Sequence, residues 1–182
     1  MSAQKIYLAG PDVFWPNARE AGAAKIALCS RYGYTGLFPL DTELDLAGLQ
    51  PRDAGLAIYR ANIGLMQQAD LVIANMTPFR GPSLDAGTAF ELGYMTGLGK
   101  PVWGYSLDGR LYADRVARSD TDADLDPDGM TIERFDMADN LMLIGAIEDS
   151  GAQLLAHHAE PRLEQHLELF EQLLRQIIKV RG

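Results

Sequence analysis

ADLVIANMTPFRGPSLDAGTAFELGYMTG, residues 69–97, predicts a β-strand, a loop and a helix in direct succession. Residues 69–75 form an apolar run of strand length, and the residues after it are rich in turn-forming types. In the helix predicted for residues 85–97, Asp85 lies at the start, where its carboxylate can accept backbone N–H groups, and Glu91 lies in the second turn. Ligands bind at the carboxyl ends of the strands in parallel α/β sheets, so both carboxylates are candidates for a functional crevice.

Strands and helices are predicted to alternate along most of the chain. The other strand-like runs are residues 5–9, 34–40 and 101–106, and the other helical patterns are residues 17–32, 53–68 and 161–180. This alternation predicts a doubly wound α/β fold, in which helices cover both faces of a parallel sheet. No change in composition marks a domain boundary, so we expect residues 1–182 to form a single domain.

Residues 107–136 are predicted to form a long acidic surface loop. They have no apolar period, and they carry an aspartate at every second position from Asp120 to Asp128. Alternating aspartates resemble a calcium loop, but that loop requires glycine at its sixth position and glutamate at its twelfth. Counted from Asp120, those positions hold Leu125 and Thr131. The pattern therefore favours a solvated loop over a metal site.

The composition narrows the possible partners. The chain has 16 Lys and Arg residues against 25 Asp and Glu residues, a net charge of −9, which would repel a nucleic-acid backbone. Its single cysteine and three histidines show no metal-ligand spacing. No run approaches the roughly 20 apolar residues of a membrane span, and no apolar signal segment opens the sequence. We therefore expect a cytoplasmic protein with no metal and no nucleic-acid or membrane partner.

The surroundings of Glu91 in the sequence are unusual for a helical glutamate. Its neighbours are apolar or small, and no basic residue lies three or four positions away to pair with it. Such a glutamate either faces solvent or lies in a functional cleft, and spacing alone does not choose between the two.

Five blocks occur in order between residues 5 and 143: Lys5-Ile-Tyr-Leu-Ala-Gly-Pro11 with Phe14, Ala69-Asp-Leu-Val-Ile-Ala74, Thr77-Pro-Phe-Arg-Gly81, Asp85-Ala-Gly-Thr-Ala-Phe-Glu-Leu-Gly93 and Asn140-Leu-Met-Leu143. This ordered set resembles the nucleoside 2-deoxyribosyltransferase family. The Pro-Phe-Arg-Gly block is similar to the branch that includes trypanosomatid and several bacterial members. The resemblance implies a flavodoxin-like, Rossmann-like sheet.

The resemblance also implies a reaction. Glu91 would attack C1′ of a 2′-deoxyribonucleoside, expel the base and carry the deoxyribosyl group as an ester until a free nucleobase accepts it. Two inversions at C1′ give net retention, as in retaining glycosidases. No cofactor is implied, and the partners would be deoxyribonucleosides and free nucleobases.

Other site residues follow from the same resemblance. Tyr7 would orient the nucleophile, unless it is only a core aromatic residue, and Asp85 would belong to the sugar and base site in addition to capping the helix. Gly10 would belong to the substrate-binding first loop. Asn62 replaces an aspartate proposed to protonate the departing base, and an amide cannot do this. Either water or another group protonates the leaving base, or the choice of base differs, with purines favoured because they leave more readily once protonated at N7.

Four further residues of this set come from loops. Phe14 and Phe79 would hold the base between their rings, although a core role is equally open. Arg80 would either hold its loop through a carboxylate or reach the ligand. Asn140 would bind the sugar across a subunit interface, which implies a homo-oligomer, or it would simply cap the next segment.

Two alternatives remain at this point. The first is an N-glycoside hydrolase acting on 2′-deoxynucleosides or their 5′-monophosphates; the monophosphates need a phosphate pocket in the first loop, where Pro11 lacks an N–H and Asp12 repels phosphate. The second is a domain that binds nucleotides without reacting, for which Glu91 would be dispensable.

Overall fold

The fold is built on a parallel sheet of five strands in the part of the chain that the structure, a computed structural model, describes: residues 3–41 and 44–181. The strands are β1 (Lys5–Ala9), β2 (Thr35–Leu37), β3 (Leu71–Asn75), β4 (Val102–Ser106) and β5 (Leu155–Ala156). Their spatial order is β2-β1-β3-β4-β5, and each neighbouring pair is parallel. This is the strand order of flavodoxin-like folds, so the predicted fold class is confirmed.

Helices cover both faces of the sheet. They are α1 (Ala18–Arg31), α2 (Pro51–Gln68), α3 (Ala86–Gly97), α4 (Tyr112–Arg115), α5 (Leu141–Asp149) and α6 (Leu163–Arg181), with 3₁₀ turns at Pro11–Phe14 and Pro39–Asp41. Helices α1 and α6 pack together on one face, whereas α3 and α5 pack together on the other. Among the described helices, none is long and apolar enough to cross a membrane.

The core lies between the sheet and these two helical layers. All five residues of β3 and all five of β4 are buried, as expected for parallel strands that are covered on both faces. Helix α6 contributes fully buried apolar residues to one layer, including Leu173, Leu174 and Ile177. The strands that carry the site therefore have little freedom to move.

Several predicted boundaries change in the structure. The strand predicted for residues 34–40 is only Thr35–Leu37, because a 3₁₀ turn begins at Pro39. Helix α2 begins at Pro51, two residues before the predicted start, with the proline in the first turn, where its missing N–H costs nothing. Strand β5 and helix α5 were not predicted.

The prediction of a surface loop for residues 107–136 is wrong in part. The segment contains helix α4 and an isolated antiparallel bridge between Leu125 and Thr131, and Ala113 and Ile132 are buried. Its aspartates shape turns: the Asp126 carboxylate, for example, accepts the backbone N–H groups of residues 128 and 130 at 2.9 Å each. In the described part of the chain, no group of three or more acidic, histidine or cysteine side chains could hold a metal ion.

The topology creates a crevice at the carboxyl ends of β1 and β3. From β1 the chain crosses to β2 on one side, and from β3 it crosses to β4 on the other. The loops that leave β1 and β3 therefore diverge, and open α/β sheets bind ligands at this switch point. Tyr7 in β1 and the segment from Thr77 to Asp85 after β3 border it.

Candidate active site

The site is centred on a hydrogen bond between Tyr7 and Glu91. Tyr7 is fully buried in β1, and its hydroxyl donates to Oε1 of Glu91, in the second turn of α3, at 2.5 Å. The two residues are 84 positions apart in the sequence. Of the two alternatives that spacing left open for Glu91, the structure supports a cleft rather than a solvated surface.

Asp85 fixes the start of the helix that carries Glu91. Its carboxylate accepts the backbone N–H of Thr88 at 3.0 Å and the Thr88 hydroxyl at 3.2 Å. This confirms the predicted helix cap, which satisfies one of the free N–H groups of the first turn. The position of Glu91 is thus fixed by the capped start of its own helix and by the hydrogen bond from Tyr7 in β1.

The protonation of this pair is set mainly by burial. Burial raises the pKa of the Glu91 carboxyl to about 7, the hydrogen bond from Tyr7 opposes that rise, and the negative charge of Asp85 adds to it. Burial, followed by the charge of Glu91, raises the pKa of the Tyr7 hydroxyl far above its ordinary value. Tyr7 therefore keeps its proton and serves as a donor, while Glu91 can exchange a proton near neutral pH.

A cavity of about 390 Å³ opens beside Glu91 between α2 and α3. Its lining is mostly apolar and includes three side chains with polar atoms, those of Tyr59, Asn62 and Glu91. The lining residues are Gly55, Ile58, Tyr59, Asn62, Met66, Gly87, Phe90 and Glu91. A concave apolar space with a few convergent polar groups is typical of a small-molecule site. Its volume suits a ligand of roughly nucleoside size, because such pockets begin at about 300 Å³.

Asn62 in α2 is one of the residues that line this cavity. Its Oδ1 atom is buried and has no hydrogen-bond partner. Buried polar atoms normally have partners, so the amide would have to turn for this unpaired oxygen to meet a ligand in the cavity. The amide can accept or donate a hydrogen bond there, but it cannot supply an acidic proton.

Phe14 and Phe79 do not hold open a slot for a base. Their rings stack on each other, with centroids 5.3 Å apart and planes 12° apart, so a base has no room between them in this geometry. Arg80 lies over both rings, with its guanidinium carbon 5.3 Å from the Phe14 centroid and 4.6 Å from that of Phe79. This cation–π stack is neither of the two roles expected for Arg80.

The first loop is ordered by a buried ion pair. Asp12, only 1% exposed, pairs with Lys25 and accepts a hydrogen bond of 2.8 Å from the Asn75 amide. Gly10 has a φ of +152°, and a Cβ there would lie 2.8 Å from the Cβ of Asn75, so this position needs glycine. The expectation that Asp12 repels phosphate is therefore wrong, because Lys25 neutralises its charge and its carboxylate faces the interior.

Asn140 caps α5 within its own chain. Its Oδ1 accepts the backbone N–H of Met142 at 3.0 Å, and its Nδ2 donates to Oε1 of Glu133 at 2.8 Å. It does not line the cavity beside Glu91. The structure thus brings together Tyr7 and Asn62 around Glu91, with Asp85 at the start of its helix, and leaves Asn140 apart.

The aromatic wall of the cavity is the part that the sequence analysis missed. The Tyr59 and Phe90 ring centroids are 6.2 Å apart, and those of Phe90 and Tyr94 are 6.1 Å apart. The sequence of α2 does contain a spacing that indicates this wall. Successive residues of a set are three or four positions apart and so share one face of the helix: Gly55, Tyr59, Asn62 and Met66.

Comparisons with known proteins agree with this geometry. The sequence profile of the family described as nucleoside 2-deoxyribosyltransferase matches residues 6–142. A Schizosaccharomyces pombe protein described as uncharacterised is 32% identical over 164 residues, 80% of this chain and 78% of that protein. A 2-deoxyribosyltransferase structure from Leishmania mexicana is 30% identical, with a TM-score of 0.66 over 93% of this chain and 97% of that one. An Enterococcus faecalis structure, 22% identical, shares the fold, with a TM-score of 0.54 over 93% of this chain and 98% of that one.

Proposed function

This chain belongs to the nucleoside 2-deoxyribosyltransferase family, and we propose that it transfers 2-deoxyribose from a 2′-deoxyribonucleoside to a free nucleobase through Glu91. The observation that carries this proposal is the 2.5 Å hydrogen bond from Tyr7 to Glu91 at the edge of an apolar cavity of about 390 Å³. A carboxylate in this setting is oriented, shielded from water and close to the space that a nucleoside would fill.

The chemistry assigns distinct tasks to the two oxygens of Glu91. Oε1 accepts the Tyr7 hydrogen bond, which leaves Oε2 to form a bond to C1′ as the bond from C1′ to the base nitrogen breaks. The electron pair of the broken bond leaves with the base. A ring nitrogen of the acceptor base then attacks C1′ from the opposite side and releases the carboxylate, so two inversions give net retention. This nitrogen loses the proton it carried, which balances the proton that the departing base takes up.

The raised pKa of Glu91 fits this reaction. A carboxylate desolvated by burial is a better nucleophile than a solvated one, and a pKa of about 7 keeps a large share of it ionised at neutral pH. The negative charge also stabilises the positive charge that develops on the sugar in the oxocarbenium-like transition state.

Asn62 is proposed to contact the base. A turn of its amide would let the unpaired Oδ1 accept a hydrogen bond from an N–H of the base, while Tyr59 and Phe90 offer aromatic surface at the same cavity. The proton that the departing base needs must then come from another group or from water. This requirement supports the proposed preference for purines, which leave readily once protonated at N7.

A homo-oligomer is part of the proposal. Although α2 has 18 residues, Met66 is its one buried residue, and Ile58 and Tyr59 are 41% and 51% exposed. A second copy packed on this helix would cover the mouth of the cavity. We propose that Asn140 reaches the sugar of a neighbouring subunit, for which its amide must leave Glu133.

Hydrolysis of 5′-monophosphates is less well supported. Among the described residues that line the cavity, none is basic, so a phosphate there would have no cationic partner. The charge of Asp12 does not bear on this alternative, since Lys25 neutralises that carboxylate.

The test is base exchange. Purified protein is incubated with 2′-deoxyinosine, with and without adenine, and the products are separated by liquid chromatography. We expect deoxyadenosine only when adenine is present. Hypoxanthine and free deoxyribose in equal amounts with and without adenine would indicate a hydrolase, and no product from any deoxynucleoside would indicate a binding domain.

A further inference from the structure

We propose that Asp139 is a positioning residue that fixes the segment before Asp85 relative to the segment before Asn140. The proposal rests on the proposed function, because Asp85 and Asn140 matter here as site residues for the sugar. The residues of this contact, Asp139, Arg115, Ser83 and Leu84, are called the Asp139 clasp below.

Both oxygens of Asp139 are fully used. Oδ1 accepts hydrogen bonds from the Ser83 hydroxyl and, at 2.8 Å, from the backbone N–H of Asn140. Oδ2 accepts the backbone N–H of Leu84 at 3.2 Å and a guanidinium N–H of Arg115 at 3.3 Å. One carboxylate therefore joins the loop that leads into α3, the start of α5 and helix α4.

The clasp is buried and charge-balanced. The side chains of Arg115 and Asp139 are 3% and 2% exposed, and Arg115 also donates to the Ala138 carbonyl at 2.5 Å. A buried carboxylate with four donors is strongly constrained, since any movement of one segment leaves a polar atom unpaired in the interior. The contact thus acts as a rigid link rather than a surface ion pair.

The position of the clasp in the sequence connects it to the site. Leu84 directly precedes Asp85, which caps the helix of Glu91, and Asp139 directly precedes Asn140. The clasp therefore holds the chain at Leu84 and at Asp139, and each of these positions directly precedes a residue predicted to contact the sugar. Arg115 gives the acidic 107–136 segment a role as well, because it supplies the cation that neutralises Asp139.

The test compares Asp139→Asn with wild type in base exchange. Loss of the clasp should loosen the positions of Asp85 and Asn140, the proposed contacts of the sugar. We therefore expect kcat/KM for 2′-deoxyinosine to fall by about tenfold or more, mainly through KM. The pH midpoint of kcat/KM should shift less than on loss of the Tyr7 hydrogen bond or of the Asp85 charge, because this variant keeps both groups. Asp139→Asn leaves Arg115 without its carboxylate, so Ser83→Ala, which keeps the ion pair, is the second variant and should raise KM in the same direction.

The control is Leu174→Ala, which opens a cavity in the buried face of α6 and destabilises the fold away from the clasp. We expect it to leave KM unchanged. Wild-type KM in both clasp variants, or an equal rise in the control, would overturn the proposal.

A second measurement needs no activity and therefore separates this proposal from the proposed function. Hydrogen exchange read by mass spectrometry should be faster in Asp139→Asn at both residues 83–88 and residues 139–143, and unchanged there in Leu174→Ala. Faster exchange in only one of the two segments, or in neither, would overturn the clasp even in a protein that transfers sugar. If wild type transfers no sugar, the proposed function fails, and this exchange pattern still decides whether Asp139 links the two segments.

Discussion

The hydroxyl of Tyr7 in β1 donates a 2.5 Å hydrogen bond to the carboxylate of Glu91 in α3. This contact joins a buried strand residue to the carboxylate on which the proposed chemistry depends. It lowers the pKa of Glu91, whereas burial and the Asp85 charge raise it to about 7. Removing the Tyr7 hydrogen bond and removing the Asp85 charge should therefore shift the pKa of Glu91 in opposite directions.

Tyr7→Phe should move the pH dependence of the reaction upward. The nucleophile must be ionised, so kcat/KM of wild type should rise with pH to a midpoint near 7. Removing a hydrogen bond that favours the ionised form raises the Glu91 pKa, so the midpoint of Tyr7→Phe should be higher and kcat at neutral pH lower. A pH–rate profile measures both, and an unchanged midpoint would show that this bond does not tune Glu91.

Asp85→Asn should move the midpoint in the other direction. The Asp85 charge raises the Glu91 pKa, so its neutral replacement should lower it. Asparagine is as good a helix cap as aspartate, which keeps the start of α3 in place. The same pH–rate profile applies, with circular dichroism to confirm the fold, and a midpoint at or above that of wild type would contradict the assigned direction.

Glu91→Gln should increase stability at alkaline pH while it removes activity. The folded carboxyl holds its proton up to about pH 7, whereas an ordinary one loses it near 4.5, so wild type loses stability as the pH rises between these values. Above pH 7 the loss amounts to about 3 kcal/mol, at about 1.36 kcal/mol per pKa unit. Urea unfolding should show the variant more stable than wild type above pH 7 and equal to it near 4.5. Equal stability at both pH values would show that burial does not raise this pKa.

Lys25→Met should destabilise the protein through Asp12. The two side chains are 2% and 1% exposed, so removing the lysine leaves a buried carboxylate without its cation. The expected cost is about 3–5 kcal/mol in urea unfolding. The double variant Lys25→Met/Asp12→Asn should recover most of this loss, because it removes both charges. A single variant as stable as wild type would show that the ion pair does not hold the first loop.

The sequence was sufficient for four of the five strands, most of the helices and the Asp85 cap because each depends on local patterns. β3 and α3 are examples, since an apolar run of strand length and a capped helix are both visible within a few residues. β5 is only two residues long and exists through pairing with Tyr105 and Ser106, so no local pattern predicts it.

The contacts within the site were less predictable, because they join distant parts of the chain. The stack of Phe14 on Phe79 fills the slot that was expected to hold a base, and only the path of the two loops determines this. Asp12 was expected to repel phosphate, but it is buried and pairs with Lys25 of α1. The family resemblance identified Tyr7 and Glu91 as partners, whereas the residue types alone did not decide whether Glu91 faces solvent or lies in a cleft.

The central claim, a deoxyribosyl group carried on Glu91, is tested most directly by mass spectrometry of protein quenched during turnover of 2′-deoxyinosine. We expect wild type to gain the mass of one deoxyribosyl group, on the peptide that contains Glu91, and Glu91→Gln to gain none while keeping its fold. Exchange of bases by Glu91→Gln, or an active wild type whose adduct maps to another peptide, would contradict the assignment of Glu91 as the nucleophile.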